Sequence, residues 1–159
     1  MFQPVYIVYA GFAVLFATFA FALWKGEMAE RIGGTLNLAA GVFAMAVHPL
    51  LAKDVQPVAL LVADAALAMG FLFLAIRFAS MWLGVAMLLQ AVQFSLHAYY
   101  MVTEAAHDLN YARINNIDTT GINICIVLGT IVAVRRRMRL RREESARAGA
   151  QQQVAADAT

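Results

Sequence analysis

Apolar residues run along this chain in long blocks separated by short polar stretches. Five blocks have spanning length: residues 5–24, 32–52, 58–76, 81–102 and 114–134. Each is close to the roughly 20 residues that carry a helix across about 30 Å of hydrocarbon. The connections are short, which forces neighbouring helices antiparallel. Pro49 and Pro57 bracket the second connection, and Pro49 is expected to bend the last turn of its helix. The pattern predicts an all-α polytopic transmembrane bundle of five helices, forming a single domain over residues 1–137. A tail over residues 138–159 is first basic, then polar. Its end, AGAQQQVAADAT, is small and polar and is expected to be partly disordered.

The interruptions inside the blocks carry as much information as the blocks. The last one opens with NNIDTTG, an unusual start for a membrane span. A helix beginning only at Gly121 would cover about 21 Å before Arg135, too short for an ordinary crossing. Residues 115–120 are therefore expected to lie within the membrane. At 100° per residue, Asp118, Gly121, Cys125 and Gly129 form one stripe, and Asn116, Thr119, Asn123 and Thr130 form a second, roughly opposite. Ile117, Ile124, Leu128 and Ile131 fill an apolar strip between them. Small residues let helices approach closely and amides bond across them. The last helix is thus expected to contact protein on two sides, either at the centre of the bundle or between subunits.

Other spans follow the same logic. Asn37, Gly41, Ala44 and His48 share a face of the second, and Asp64 lines up with Ala68 and Phe71 in the third. Gln90, Gln93, His97 and Tyr100 form one stripe of the fourth. Counted from the predicted outer ends, His48, Asp64, His97 and Asp118 lie about 6–9 Å inside. A charge at the bilayer centre costs about 2.5–3.5 kcal/mol on insertion scales, so such groups are cheaper together than apart. His48, Asp64, Gln93, His97, Asn116, Asp118 and Asn123 are accordingly expected to form a polar cluster in the outer half of the bundle. It would organise the helices and offer a place to a small ligand or partner helix.

Composition and charge give the blocks a solvent and a direction. The 159 residues are 62% hydrophobic and 14% charged, with mean hydropathy +0.69. A water-soluble domain of this size cannot hide that much apolar surface. With the N-terminus outside, the inner loops and tail hold Lys25, Arg31, Arg77, Arg135, Arg136, Arg137, Arg139, Arg141, Arg142 and Arg147, and the outer side only Lys53 and Arg113. The positive-inside rule selects this orientation, with the C-terminus cytoplasmic. Trp24 and Trp82 then fall near the inner interface and Tyr6, Tyr9, Tyr99, Tyr100 and Tyr111 near the outer one, as amphipathic rings prefer. No basic stretch precedes the first apolar block, which reads as a retained span. Arg135, Arg136, Arg137, Arg139, Arg141 and Arg142 are expected to contact anionic lipid at the cytoplasmic face, at about 1 kcal/mol per basic group. No nucleic-acid-binding module accompanies them.

Candidate chemistry is sparse. A single cysteine, Cys125, excludes a disulfide within the chain. Ser95 and His97 fall on different faces, so no Ser-His-Asp set arises, and the protein reads as non-enzymatic. Two alternatives stay open. His48 and His97 are candidate metal ligands, or axial ligands of a haem b, in a redox protein. Asp64, Asp118 and the histidines are candidates for a proton or small-solute transport component. A homo-oligomer or partner membrane protein would dock through the last helix.

The motif ERIGG, the stretch MWLGVAMLLQAVQFSLHAYY and the asparagine-rich last span resemble a group of short, uncharacterised multi-span inner-membrane proteins of alphaproteobacteria. The likeness covers most of the spanning part and leaves out the tail after Arg137. It implies a multi-pass location in the bacterial cytoplasmic membrane and brings no catalytic residue with it.

Overall fold

The computed structural model describes residues 5–104 and 109–157, with the side chains of residues 5–8, 48 and 154–157 outside the described set. Among the described residues there are five helices and no strand: α1 (Val5–Lys25), α2 (Met28–Leu50), α3 (Gln56–Phe78), α4 (Met81–Thr103) and α5 (Leu109–Asp157). The connections follow from local chemistry. Gly26 turns α1 into α2, where an added Cβ would lie 2.4 Å from the Ala22 carbonyl oxygen. Ala79 and Glu104 close α3 and α4 in the left-handed conformation, with φ of 48° and 50°. Helix α2 continues through Pro49 to Leu50, which places the proline in its final turn.

Helices adjacent in sequence pack side by side, and α5 closes the ring by packing against α4 and α1. It also reaches α2 across the middle. The centre is apolar: Phe71 of α3, Leu83 and Ala86 of α4, and Ile122 and Ile126 of α5 are buried together. The surface is apolar as well. Val62, Met69, Phe73 and Ile76 make an exposed row on α3, and Leu88 and Val92 are exposed on α4. A bundle that is greasy outside and inside needs lipid or protein around it. Helices α3, α4 and α5 are long and apolar enough to cross a membrane, and the described part of α1, Tyr9–Lys25, is a shorter apolar helix.

Three features differ from the sequence-based expectation. First, α5 begins at Leu109 rather than at residue 114, and residues 115–120 are helical as the span reading had them. Second, the same helix runs on through the basic and polar tail to Asp157, where partial disorder was expected. Alanine, arginine, glutamate and glutamine are strong helix formers, and they dominate that stretch. At 1.5 Å per residue the 49 residues of α5 span roughly 74 Å, more than twice a hydrocarbon core. Third, α2 begins at Met28, so Glu30 and Arg31 belong to its first turn rather than to a loop.

Candidate functional site

The basic residues Lys25, Arg31, Arg77 and Arg135 mark one end of the bundle; the polar interruptions gather toward the other. At that far end Asp64 of α3 is the hub. Gln90 Nε2 donates to Asp64 Oδ1 at 3.0 Å, and His97 Nδ1 meets Asp64 Oδ2. Both partners come from α4, two turns apart, so one carboxylate fastens α3 to α4 at two heights. Asp64 and Gln90 are 8% and 1% exposed. An aromatic cap follows: the His97 ring lies 5.6 Å from that of Tyr111, and Tyr111 lies 5.0 Å from Tyr100, edge to face. Tyr111 comes from α5, so the cap joins a third helix to the pair.

Further polar contacts continue along α5. Gln93 Nε2 donates to Asn115 Oδ1 at 3.2 Å, tying α4 to α5. Asn37 Nδ2 of α2 donates to Asn123 Oδ1 at 3.2 Å, and Asn123 Nδ2 donates to the Thr119 carbonyl at 2.9 Å. Thr130 is fully buried and donates to the Ile126 carbonyl. The two faces of α5 thus have different partners. Gly121 lies against Leu89 of α4 and Gly129 against Trp82 of α4, while Asn123 meets α2. Ile117, Ile124 and Leu128, the strip between, are exposed. Two-sided packing of α5 arises within one chain.

The sequence-predicted site residues do not all meet. Asp64 and His97 touch, Gln93 pairs with Asn115, and Asn123 pairs with Asn37. Asn116 lies on the exposed side of α5. Asp118 is 4% exposed, yet its Oδ2 has no hydrogen-bond partner among the described residues. His48 stands in the last turns of α2, and its side chain lies outside the described residues, so the metal and haem readings turn on a group with no described position. Among the described residues no three of His, Cys, Asp and Glu gather as a metal-ion site. Cys125 is buried and free. Arg135, Arg136, Arg137, Arg139, Arg141 and Arg142 are all exposed on α5.

Sequence reasoning missed a second polar centre at the basic end. Glu30 of α2 is 5% exposed. Its Oε2 accepts the Glu27 backbone N–H at 2.9 Å and its Oε1 accepts the indole N–H of Trp82 at 3.1 Å. The Trp82 ring reaches across the bundle, with its benzene edge over Gly33 of α2 and its pyrrole edge over Gly129 of α5. A Cβ at Gly129 would lie 2.5 Å from Nε1, so only glycine admits the ring there. Trp24, by contrast, is exposed and stacks under Lys25, whose Nζ lies 4.0 Å from the ring centroid. Beside Glu30 opens a cavity of about 180 Å³, lined among others by Glu27, Phe78, Ser80, Trp82 and Arg136. A signal was present: Gly33 and Gly34 follow Glu30 by three and four residues, so they share its helix face one turn on and leave space for a neighbouring ring.

No family model, no curated protein and no solved structure matches the chain. The functional reading therefore rests on geometry alone.

Proposed function

We propose that this chain is a five-span integral protein of the bacterial cytoplasmic membrane, with its N-terminus outside and its basic tail in the cytoplasm. Its role is non-enzymatic. Polar side chains in the outer half hold the bundle in register, and a small ligand would bind at Asp118, a buried carboxylate with one oxygen unpartnered among the described residues. The observation that carries this reading is the pairing of buried polar groups across helices on an otherwise apolar bundle: Asp64 with Gln90 and His97, Gln93 with Asn115, Asn37 with Asn123. Hydrocarbon offers such groups no other partner. The row of exposed aliphatic side chains on α3 supports lipid as the solvent. The exposed arginines that follow residue 134 support contact with anionic lipid at the cytoplasmic face. A second subunit or partner helix would meet α5 along Ile117, Ile124 and Leu128, which are exposed between its contacts with α2 and α4.

Membrane fractions washed at alkaline pH test the location, and they are expected to retain the protein. Periplasm-dependent and cytoplasm-dependent reporters fused at Asp54 and after Arg147 test the orientation. The first fusion should be active only as the periplasmic reporter and the second only as the cytoplasmic one. Release by the alkaline wash would end the membrane reading, and an inverted reporter pattern would reverse the topology.

One observation favours a second reading, a component for proton or small-solute transport. The Asp118 carboxyl is buried without a described partner for Oδ2, as a group that receives and releases a solute would be. Flux into liposomes that is lost in Asp118→Asn would select this reading. Equal flux from wild-type and variant protein would remove it.

A further inference from the structure

We propose that the cavity beside Glu30 binds the headgroup of an aminophospholipid, a lipid that joins a primary ammonium to a phosphate. The inference rests on the membrane reading above, which sets this end of the bundle at the headgroup layer.

Four segments converge on the cavity: the start of α2 with Glu27 before it, the end of α3, the start of α4 and the stretch of α5 from Gly129 to Arg136. They bring both signs of charge to one small space. Glu27 and Glu30 stand on one side and Arg136 on another. Among the described residues Glu30 accepts two hydrogen bonds but pairs with no basic side chain. A carboxylate has about four acceptor positions, so Glu30 retains capacity for a cation. Glu27 lies 3.7 Å from Arg137 in a pair that is 43% exposed on both sides, and such pairs are weak and easily exchanged. A purely anionic headgroup would face two carboxylates here. A purely cationic ligand would face the arginines. A zwitterion with its charges a few bonds apart satisfies both.

The apolar part of the lining fixes the source as a lipid rather than a free amine or phosphate. Met28 and Val132 line the cavity and are also exposed on the outside of the bundle. They continue the cavity onto the surface where acyl chains would lie. A primary ammonium is preferred over a quaternary one because it donates three hydrogen bonds to carboxylates, whereas choline donates none. The aromatic side chains here are committed to packing: the Trp82 edges lie over Gly33 and Gly129 and its N–H is held by Glu30.

The full chain, reconstituted into vesicles and then extracted in mild detergent, is examined by native mass spectrometry. Phosphatidylethanolamine, phosphatidylcholine and phosphatidylglycerol of matched acyl chains are each titrated. Ethanolamine lipid should bind roughly tenfold more tightly than choline lipid, the size expected for charge-assisted hydrogen bonds. Glu27→Gln should reduce that preference, since only Glu30 then remains to receive the ammonium, and Arg136→Gln should weaken both lipids alike. Both side chains reach solvent, so the helical content measured by circular dichroism should not change. Equal binding of the ethanolamine and choline lipids would overturn the proposal, as would tightest binding of the glycerol lipid. Competition by soluble phosphoethanolamine as effective as by the lipid would overturn the lipid assignment. A chain that leaves the vesicles in an alkaline wash refutes the membrane reading itself. A chain that stays but does not discriminate refutes only the lipid site.

Discussion

Asp64 and Glu30 sit toward opposite ends of the same bundle, and both are buried carboxylates with both oxygens engaged. Each takes a bond from α4. The difference lies in the donors. Asp64 is held by two α4 side chains, Gln90 and His97, and joins α3 to α4 at two heights. Glu30 takes one bond from Trp82 and one from its own helix start, and a cavity adjoins it. Two long-range donors make a clamp; one long-range donor and one local donor leave room beside the group. The first arrangement suits structure and the second suits binding.

If that contrast holds, removing the Asp64 carboxylate does the greater damage. Asp64→Leu leaves the amide of Gln90 and the imidazole of His97 without the partner they share. Each buried polar group so orphaned costs about 1–3 kcal/mol, so the loss should be about 2–6 kcal/mol. Thermal or denaturant unfolding in micelles measures it. A variant as stable as the parent would show that the far end is no clamp. Asp64→Asn keeps a polar partner and should recover part of the stability.

Trp82→Phe makes the corresponding cut at the basic end. The phenyl ring is too short to span Gly33 and Gly129 as the indole does, so some packing is lost, and Glu30 loses its one bond from another helix. A hydrogen bond to a charged group contributes about 1.5–3 kcal/mol when buried. Here the neighbouring cavity lets water or a ligand take the vacated position, so the hydrogen-bond part of the loss should fall near the lower bound. The same unfolding assay checks it. A loss larger than that of Asp64→Leu would invert the comparison and make Glu30 the clamp.

The two ends were also unequally legible. Asp64, Gln90 and His97 stand deep inside apolar blocks, so hydrocarbon alone predicts that they seek polar partners. Gln90 and His97 stand seven residues apart on α4, two turns, which gives the shared face. Glu30 lies at the edge of a block, and an edge charge reads first as a topology signal. Its engagement by Trp82 depends on an indole crossing from a helix some fifty residues away, over glycines whose role is visible only once the helices are placed. For the same reason Trp82 read as an interfacial anchor, a description that fits Trp24. Five helices and the two-sided packing of α5 were readable because periodicity is a local property. Partner identity within a face is not local. Asn116 and Asn123 fall in one stripe on a helical wheel, yet one is exposed and the other meets Asn37. The helical tail was misjudged from its polarity, although its residues favour helix.

The smallest expected effect tests whether the amide pairs along α5 act like the Asp64 clamp or merely accompany packing. Asn37 and Asn123 join α2 to α5 by a single bond of 3.2 Å, and Asn123 keeps a second bond to the Thr119 carbonyl of its own helix. Removing Asn37 therefore does not orphan Asn123 completely. Hydrogen bonds between membrane helices average about 0.6 kcal/mol in double-mutant cycles and reach about 1.7. A cycle built from Asn37→Leu, Asn123→Leu and the double variant, read by unfolding in micelles, should give a coupling near the average. A value near zero would assign the α2–α5 contact to apolar packing around Ile126 and leave the amides as passengers. A value above about 1.7 kcal/mol would exceed what a single bond of this kind supplies. It would mean that the pair, like Asp64, serves as a clamp, and the division between the two ends of the bundle would no longer hold.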